Sequence, residues 1–300
     1  MWLKITKNYS PNFSLPKRSK QKIRFIIIHY TGMKKESLAI EKLCDSNSNV
    51  SAHYFIKKKG DILNLVPDLY EAWHAGKSRW GNYESLNKSS IGIEIQNSGH
   101  ENKYEKFNLN QINSLKKLLK KLIIKYKINQ KNILGHSDIA PDRKTDPGEK
   151  FPWKNLSKLK LAYWHSLEEK KIRKLRLIKL NKSEEKNFFK NIKKIGYTRI
   201  KNSNINYNKI LVKSFQRRFR QSLINGIVDQ ECLIICKNLL KSWIISIEKF
   251  ILNNKLILPD KWLIALINFK EESPGSARIQ CQVTPGGGNP RDSATENIPP

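Results

Sequence analysis

The sequence predicts an α/β fold: a mixed central β-sheet flanked by helices, followed by a small three-helix bundle. Three observations carry this. Ile23-Arg24-Phe25-Ile26-Ile27-Ile28-His29-Tyr30 is a largely apolar, β-branched run closed by Thr31-Gly32, the pattern of a strand covered on both faces and so central in a sheet. Strand-like and helix-like stretches alternate through about residue 165, with one hairpin among them. After residue 187, three short helical patterns are separated by Gly196 and by Asn225-Gly226.

Taken in order, Ser10 to Lys22 is polar with two prolines and reads as an irregular lead-in to the central strand. A short helix is expected from Lys35 to about Cys44, with Leu38, Ile40 and Leu43 apolar. Val50–Ile56 and Ile62–Val66 flank Lys59-Gly60-Asp61, which predicts a hairpin. Glu71 to Tyr83, rich in Trp, Gly and His, reads as a loop. Ser90–Gln96 is a strand with Ile91, Ile93 and Ile95 on one face and Glu94 on the other. The clearest helix begins after Asn108 as N-cap, with Leu109, Ile112, Leu115, Leu119, Leu122 and Tyr126 at helical spacing and lysines on the outer side. Asn132-Ile133-Leu134 is a short strand that delivers the segment Gly135–Gly148, too punctuated by Gly and Pro for a helix or strand and so expected to be a loop.

The domain reading that follows is 1–165 catalytic, 166–186 a basic helical linker, 187–241 a helical bundle, 242–270 a helical extension and 271–300 a disordered tail. The bundle helices are expected over Phe188–Ile195, Ile210–Phe219 and Gln230–Leu240. The tail from Glu271 contains no lysine and is full of Gly, Pro and Ser.

Composition excludes more than it selects. Lys and Arg number 57 against 26 Asp and Glu, a formal charge of +31, which favours polyanionic partners. No basic block is interleaved with aromatics as in a nucleic-acid module, so nucleic acid is not an expected partner. Cys44, Cys232, Cys236 and Cys281 form neither a CxxC pair nor a disulfide framework. Charges interrupt the Ile-rich stretch from Trp243 to Phe269, so no membrane span is expected. The start, Met1–Lys7, lacks the apolar core of a secretory signal.

The chemistry gathers at Gly135–Gly148. His29 closes one strand, His136 follows another, and Asp146 comes ten residues later. Two imidazoles and a carboxylate are the ligand set of a hydrolytic zinc site with its fourth position left to water. A histidine ending an apolar strand also serves as a hydrogen-bonded structural residue, and spacing alone does not separate the two. Glu94, alone among isoleucines, is either a polar position on the open face of an edge strand or a general base. Lys144 shares a face with Asp146 if the segment is extended, where it would meet an oxyanion; the alternative is one surface lysine among many.

His29-Tyr30-Thr31, Ser51-Ala52-His53-Tyr54, Ala72-Trp73-His74-Ala75-Gly76, Leu86-Asn87 with Ser90–Glu94, and Gly135–Pro152 occur in that order. Together they resemble the zinc-dependent N-acetylmuramoyl-L-alanine amidases of the type-2 family, the AmpD- and AmiD-like enzymes related to peptidoglycan-recognition proteins and the phage T7 lysozyme. The resemblance covers about residues 8 to 160. It implies His29, His136 and Asp146 as ligands of one zinc ion, Glu94 as the catalytic acid–base, Lys144 as the transition-state lysine, and His74 and Asn87 as substrate-binding residues near the sugar or stem peptide. It implies a peptidoglycan-recognition-like fold, peptidoglycan or muropeptides as partner, and hydrolysis of the amide between N-acetylmuramic acid and L-alanine. A non-catalytic peptidoglycan-recognition protein is the alternative, and a monomer the expected state. Asp142 and Glu149 depart from the family's usual glycine and proline, and Ala52 stands where some relatives have tyrosine. His53 is expected to be structural, His100 and His165 incidental, and Asp138 and Arg143 braces of the loop. Gly196-Tyr197, Ser214–Arg220, Asn225-Gly226 and Asp229 resemble a peptidoglycan-binding bundle. Such a bundle favours the cell envelope or periplasm, whereas the missing signal favours the cytoplasm.

Overall fold

The apolar run of the sequence folds as the strand Phe25–Tyr30, whose residues 25 to 29 are all buried. The structure, a computed structural model, describes residues 4–198 and 207–253, the last twelve as backbone only. In chain order the strands are β1 (Ile5–Lys7), β2 (Phe13–Ser14), β3 (Phe25–Tyr30), β4 (Tyr54–Ile56), β5 (Ile62–Asn64), β6 (Glu71–Ala72), β7 (Arg79–Trp80), β8 (Tyr83–Glu84), β9 (Ser90–Ile95) and β10 (Ile133–Gly135). Six of them form one mixed sheet in the order β1-β5-β4-β9-β3-β10, with β4 and β5 as the expected antiparallel hairpin. The parallel pairs β9–β3 and β3–β10 put His29 beside Glu94 and Gly135 beside Ile28. Glu94 therefore lies on an interior strand, not on the open face of an edge.

Alternation divides the sheet into two faces. Ile26, Ile28, Ile91, Ile93 and Ile95 pack with Leu115, Leu118, Leu119 and Leu122 of α2 (Leu109–Tyr126) in one core. α1 (Glu36–Cys44) covers Phe55 and Leu63 at one end of the other face. His29 and Glu94 lie on this second face, in register with Phe55. α2 starts where expected: the Asn108 side chain accepts from the Gln111 N–H at 2.9 Å, and Gln111 Oε1 accepts from the Asn108 N–H at 3.2 Å, a capping box. Leu109, expected on the apolar face, is 71% exposed. The first turn instead turns Gln111 inward, where its Nε2 donates to the Gln96 carbonyl at 2.6 Å.

Two further expectations need correction. Residues His136–Ile139, read as loop, form a helical turn, α3. Asp138 makes this possible by accepting the Gly135 N–H at 2.8 Å, which satisfies a donor the turn leaves unpaired. Residues 166–186, read as a linker helix, are no continuous helix: they hold α5 (Glu169–Ile172), a 3-10 turn over Arg173–Leu175 and, from Lys182, the first turn of the next helix. Leu177 then takes a positive φ of 64°, which a continuing helix of L-residues does not tolerate. Between α3 and α5 a short helix, α4 (Trp153–Ser157), closes the sheet domain.

The bundle helices are α6 (Lys182–Ile195), α7 (Tyr207–Phe219) and α8 (Gln230–Asn253). α8 carries helix into the first part of the expected 242–270 extension, while 254–270 and the 271–300 tail lie outside the described residues. Phe188, Ile192, Phe215, Leu233 and Ile235 share one core with Phe25, Ile27 and Leu134 of the sheet. Residues up to Lys249 accordingly form one compact unit. The partition into catalytic domain, linker and bundle is thus a proposal about function, not a division in packing.

Candidate metal centre

Because β3 and β10 are neighbouring parallel strands, their carboxyl ends deliver His29 and His136 side by side. His29 Nδ1 lies 2.9 Å from His136 Nδ1, and Asp146 Oδ2 lies 3.1 Å from the first and 3.2 Å from the second. All three residues are buried, and among the described residues they are a group of His and Asp able to hold a metal ion. The Ser137 N–H donates to the Asp146 carbonyl at 2.8 Å, which closes the loop and brings the carboxylate back over α3.

The surrounding hydrogen bonds fix where the ring protons sit. Ser90 Oγ donates to the Leu86 carbonyl at 2.5 Å, so toward His74 Nε2, 3.1 Å away, it acts as acceptor. That leaves His74 Nδ1 bare to accept the His29 Nε2–H at 3.1 Å, and so leaves His29 Nδ1 bare as well. On the other side His136 Nε2 donates to the Ala75 carbonyl at 3.2 Å, which bares its Nδ1. In these tautomers, two imidazole nitrogens and a carboxylate oxygen converge on one point. Such a donor set fits a cation, and hydrogen bonds from the far ring nitrogen, here to His74 and the Ala75 carbonyl, are how proteins aim histidine ligands.

Electrostatics agree. Burial, followed by the neighbouring His136, pushes the His29 pKa down to about 4, so the ring is neutral near pH 7. Burial, followed by His29, also lowers His74 well below its ordinary value. Asp146 is buried, which alone would raise it, but His136 and His29 hold it well below the usual carboxylate range. Glu94 behaves oppositely: burial and the Asp146 charge raise it to about 8, against a lowering by Lys144. The residue is only partly buried as a whole, yet its Oε2 is enclosed and without a hydrogen-bond partner among the described residues. An unpartnered buried carboxyl oxygen with a raised pKa, one strand from His29, marks Glu94 as a candidate for proton transfer.

His74 and Asn87, expected at the substrate groove, make hydrogen bonds within the protein. His74 lies behind His29 with both ring nitrogens engaged inside the protein. Asn87 Oδ1 accepts the His74 and Ala75 N–H groups at 3.1 and 2.6 Å, so it shapes the backbone that carries the Ala75 carbonyl. Arg143 donates to that same carbonyl and to Lys77, bracing the metal loop against residues 75–77 as expected. His53 is structural: Nδ1 accepts the Gly92 N–H at 3.0 Å and Nε2 faces the Tyr70 carbonyl at 3.0 Å. His100 is less incidental than its isolation suggests, since it meets Tyr30 at 2.8 Å and Glu149 at 3.0 Å beside the loop. Asp142 does not take positive φ, so the family's usual glycine is not needed for conformation there.

Several positioning residues escaped the sequence reading. Arg18, 7% exposed, donates to the carbonyls of Asn87, Ser90 and Asp68, tying the lead-in to β9. Gly92 leaves the room His74 needs: a Cβ there would meet the imidazole at 2.4 Å. An isolated glycine in a strand of isoleucines is the signal that could have announced this close approach.

Comparison with known proteins places this geometry. A family model described as N-acetylmuramoyl-L-alanine amidase matches residues 19–149. The N-acetylmuramoyl-L-alanine amidase AmiD of Escherichia coli strain K12 is 31% identical over 234 residues, 74% of this chain and 84% of that protein. The 1,6-anhydro-N-acetylmuramyl-L-alanine amidase AmpD of the same organism is 42% identical over 104 residues, 35% of this chain and 55% of that one. Among solved structures, E. coli AmiD in complex with the substrate anhydro-N-acetylmuramic acid-L-Ala-D-gamma-Glu-L-Lys superposes with TM-score 0.65 and 29% identity over 77% of this chain and 93% of that one. AmpDh3 of Pseudomonas aeruginosa gives the same TM-score and identity over 78% of this chain and 97% of its own. With likeness of this extent around a buried His–His–Asp group, the chain belongs to the N-acetylmuramoyl-L-alanine amidases, metal-dependent enzymes that hydrolyse the amide joining N-acetylmuramic acid to L-alanine.

Proposed function

We propose that this amidase holds one zinc ion through His29 Nδ1, His136 Nδ1 and Asp146, with Glu94 as general acid–base and Lys144 as the group facing the oxyanion. The observation that carries the reading is the convergence of three ligand-type atoms, 2.9 to 3.2 Å apart, together with the enclosed, unpartnered Glu94 Oε2. When bound, zinc supplies Lewis acidity that makes water nucleophilic at neutral pH and polarises the amide carbonyl. Water attacks the lactyl carbonyl carbon of N-acetylmuramic acid, and Glu94 takes up the proton it releases. Lys144, close enough to lower the Glu94 pKa, faces the negative charge that develops on the carbonyl oxygen. As the C–N bond breaks, Glu94 returns its proton to the departing alanine nitrogen.

The complex of the E. coli relative supports an anhydro-muropeptide as one substrate class, and the bundle supports longer fragments that it would keep near the site. A purely binding role has no use for an enclosed, unpartnered carboxyl beside the three donors. Loading metal-free protein with zinc tests the assignment. Activity on a purified anhydro-muropeptide is expected to return at one zinc per chain, and His136→Ala is expected to bind none. Full activity in the metal-free protein would overturn it.

A further inference from the structure

The metal loop is held from behind by residues that lie far along the chain. Asp138, two residues after His136, is 2% exposed and has three partners: its own Gly135 N–H, the Tyr197 hydroxyl at 2.7 Å and Arg218 Nη1 at 3.1 Å. The last two belong to the segments around the bundle. Arg218, 3% exposed on α7, also donates through Nη2 to the Ile133 carbonyl of β10 at 3.0 Å, and its guanidinium stacks on Trp153 at 3.4 Å. One turn earlier on α7, Ser214 donates to the Ser137 carbonyl at 2.6 Å. Gln221, just past α7, donates to the Phe151 carbonyl at 2.8 Å.

The buried charge on Asp138 is thus neutralised by Arg218, and Asp138 in turn shapes the turn that aims His136. The same turn holds Asp146 through the Ser137 N–H. Removing one partner of a buried pair leaves the other charge uncompensated, and the usual relief is for the backbone around it to shift. Here that backbone carries two of the three candidate ligands.

We propose that the helices after residue 182 are part of the scaffold of the metal centre: Arg218, with Tyr197 and Ser214, positions the His136–Asp146 segment, so that metal retention depends on the bundle. This role is separate from any hold on the cell wall, and it rests on reading His136 and Asp146 as metal ligands. Arg218 is a positioning residue and touches no substrate.

The test compares Arg218→Met with Arg220→Met in the full chain. Arg220, 3% exposed, pairs with Asp229 and Glu231 and, among the described residues, has no hydrogen bond or ion pair to the metal loop, so its loss removes a buried pair while leaving the contacts to Asp138 and Ser137 in place. Zinc-loaded proteins are challenged with a chelator and the rate of zinc loss is read well below either melting temperature. In the metal-free proteins, hydrogen exchange is read at amides 135–146. Arg218→Met is expected to lose zinc at least ten-fold faster than wild type and to lose protection in the loop, with Arg220→Met within about two-fold of wild type on both. Equal effects of the two variants, or no effect of Arg218→Met, overturn the proposal. If Arg218→Met fails to fold, Tyr197→Phe removes only the hydroxyl on Asp138 and is expected to speed zinc loss by about three-fold; no change there overturns the proposal equally. A wild type that binds no zinc would instead refute the ligand assignment, and this proposal with it.

Discussion

In the proposed mechanism Glu94 is the residue on which the chemistry turns, and its environment predicts its behaviour. Enclosed beside Asp146 and raised to about 8 without metal, it is poised to exchange a proton near neutrality. Glu94→Gln should cut turnover on muropeptide by about 10²- to 10⁴-fold, the range expected for loss of a positioned acid–base, while leaving zinc stoichiometry unchanged. Turnover near wild type would remove Glu94 from the mechanism. Gly92→Ala probes the support of His29. The added methyl would meet the His74 ring at 2.4 Å, so the ring must move and His29 Nε2 loses its acceptor. A cost of about 1–3 kcal/mol in denaturant melts of the metal-free protein is expected, as for other overpacked sites, together with weaker zinc binding. Buried neutral histidines set the acid limit. Burial, followed by Arg18, lowers His53 to about 3, below its unfolded value near 6.5. Its contribution to stability is therefore complete above pH 6.5 and is lost as pH falls toward 3, because the unfolded chain binds the proton first. At pH 5 the loss from His53 alone is about 2 kcal/mol, and His29 and His165 add in the same direction. Glu94 has the opposite sign, its contribution fading as pH rises through about 8. Urea melts of metal-free protein at pH 7.5 and pH 5 check this; equal stability at the two would contradict it.

At the scale of elements, helix α2 shows how patterning becomes stability. Leu119 is fully buried against the sheet, whereas Lys120 points outward. Leu119→Ala is expected to cost about 2–5 kcal/mol, Asn108→Ala about 1 kcal/mol through the lost cap, and Lys120→Ala less than about 0.5 kcal/mol. A ranking other than this in thermal or urea melts would contradict the packing described. Elements with an unbroken period were legible in the sequence: the strand through Ile26 to Ile28, the isoleucines of β9 and the α2 face all follow from alternation or helical spacing. What failed to show were elements set by single side-chain contacts rather than by a repeating pattern. The turn α3 depends on Asp138 reaching back to Gly135, and the break at Leu177 accompanies hydrogen bonds from Arg176 and Leu177 to Glu231 and Asp229. Strand ends and loop chemistry marked the three donors as candidates, and the family resemblance singled them out as a set. The tautomer chain through Ser90 and His74 was not legible, because it exists only once β9 and residues 72–87 are brought together.

Across the whole molecule, the bundle and the sheet bury a common core, with Phe188 and Phe215 in the same cluster as Phe25 and Ile27. A sequence marks domain limits by composition, and the charged stretch near residue 170 looked like such a limit; packing ignores it. The consequence is cooperative unfolding. Far-UV circular dichroism and a fluorescence probe in the bundle should report one coincident transition for residues up to Lys249, whereas two separated midpoints would show the bundle to be independent. Among the described residues no helix is long and apolar enough to cross a membrane. In the proposed mechanism Glu94 and a metal held by His29, His136 and Asp146 direct water onto the lactyl carbonyl. Mass spectrometry of products formed in H₂¹⁸O tests it most directly. Zinc-loaded enzyme acting on an anhydro-muropeptide should place one ¹⁸O in the muramic lactyl carboxylate and release an unlabelled peptide with a free alanine amine, and metal-free enzyme should release none. Label in the peptide, cleavage at another bond, or equal release without metal would contradict it.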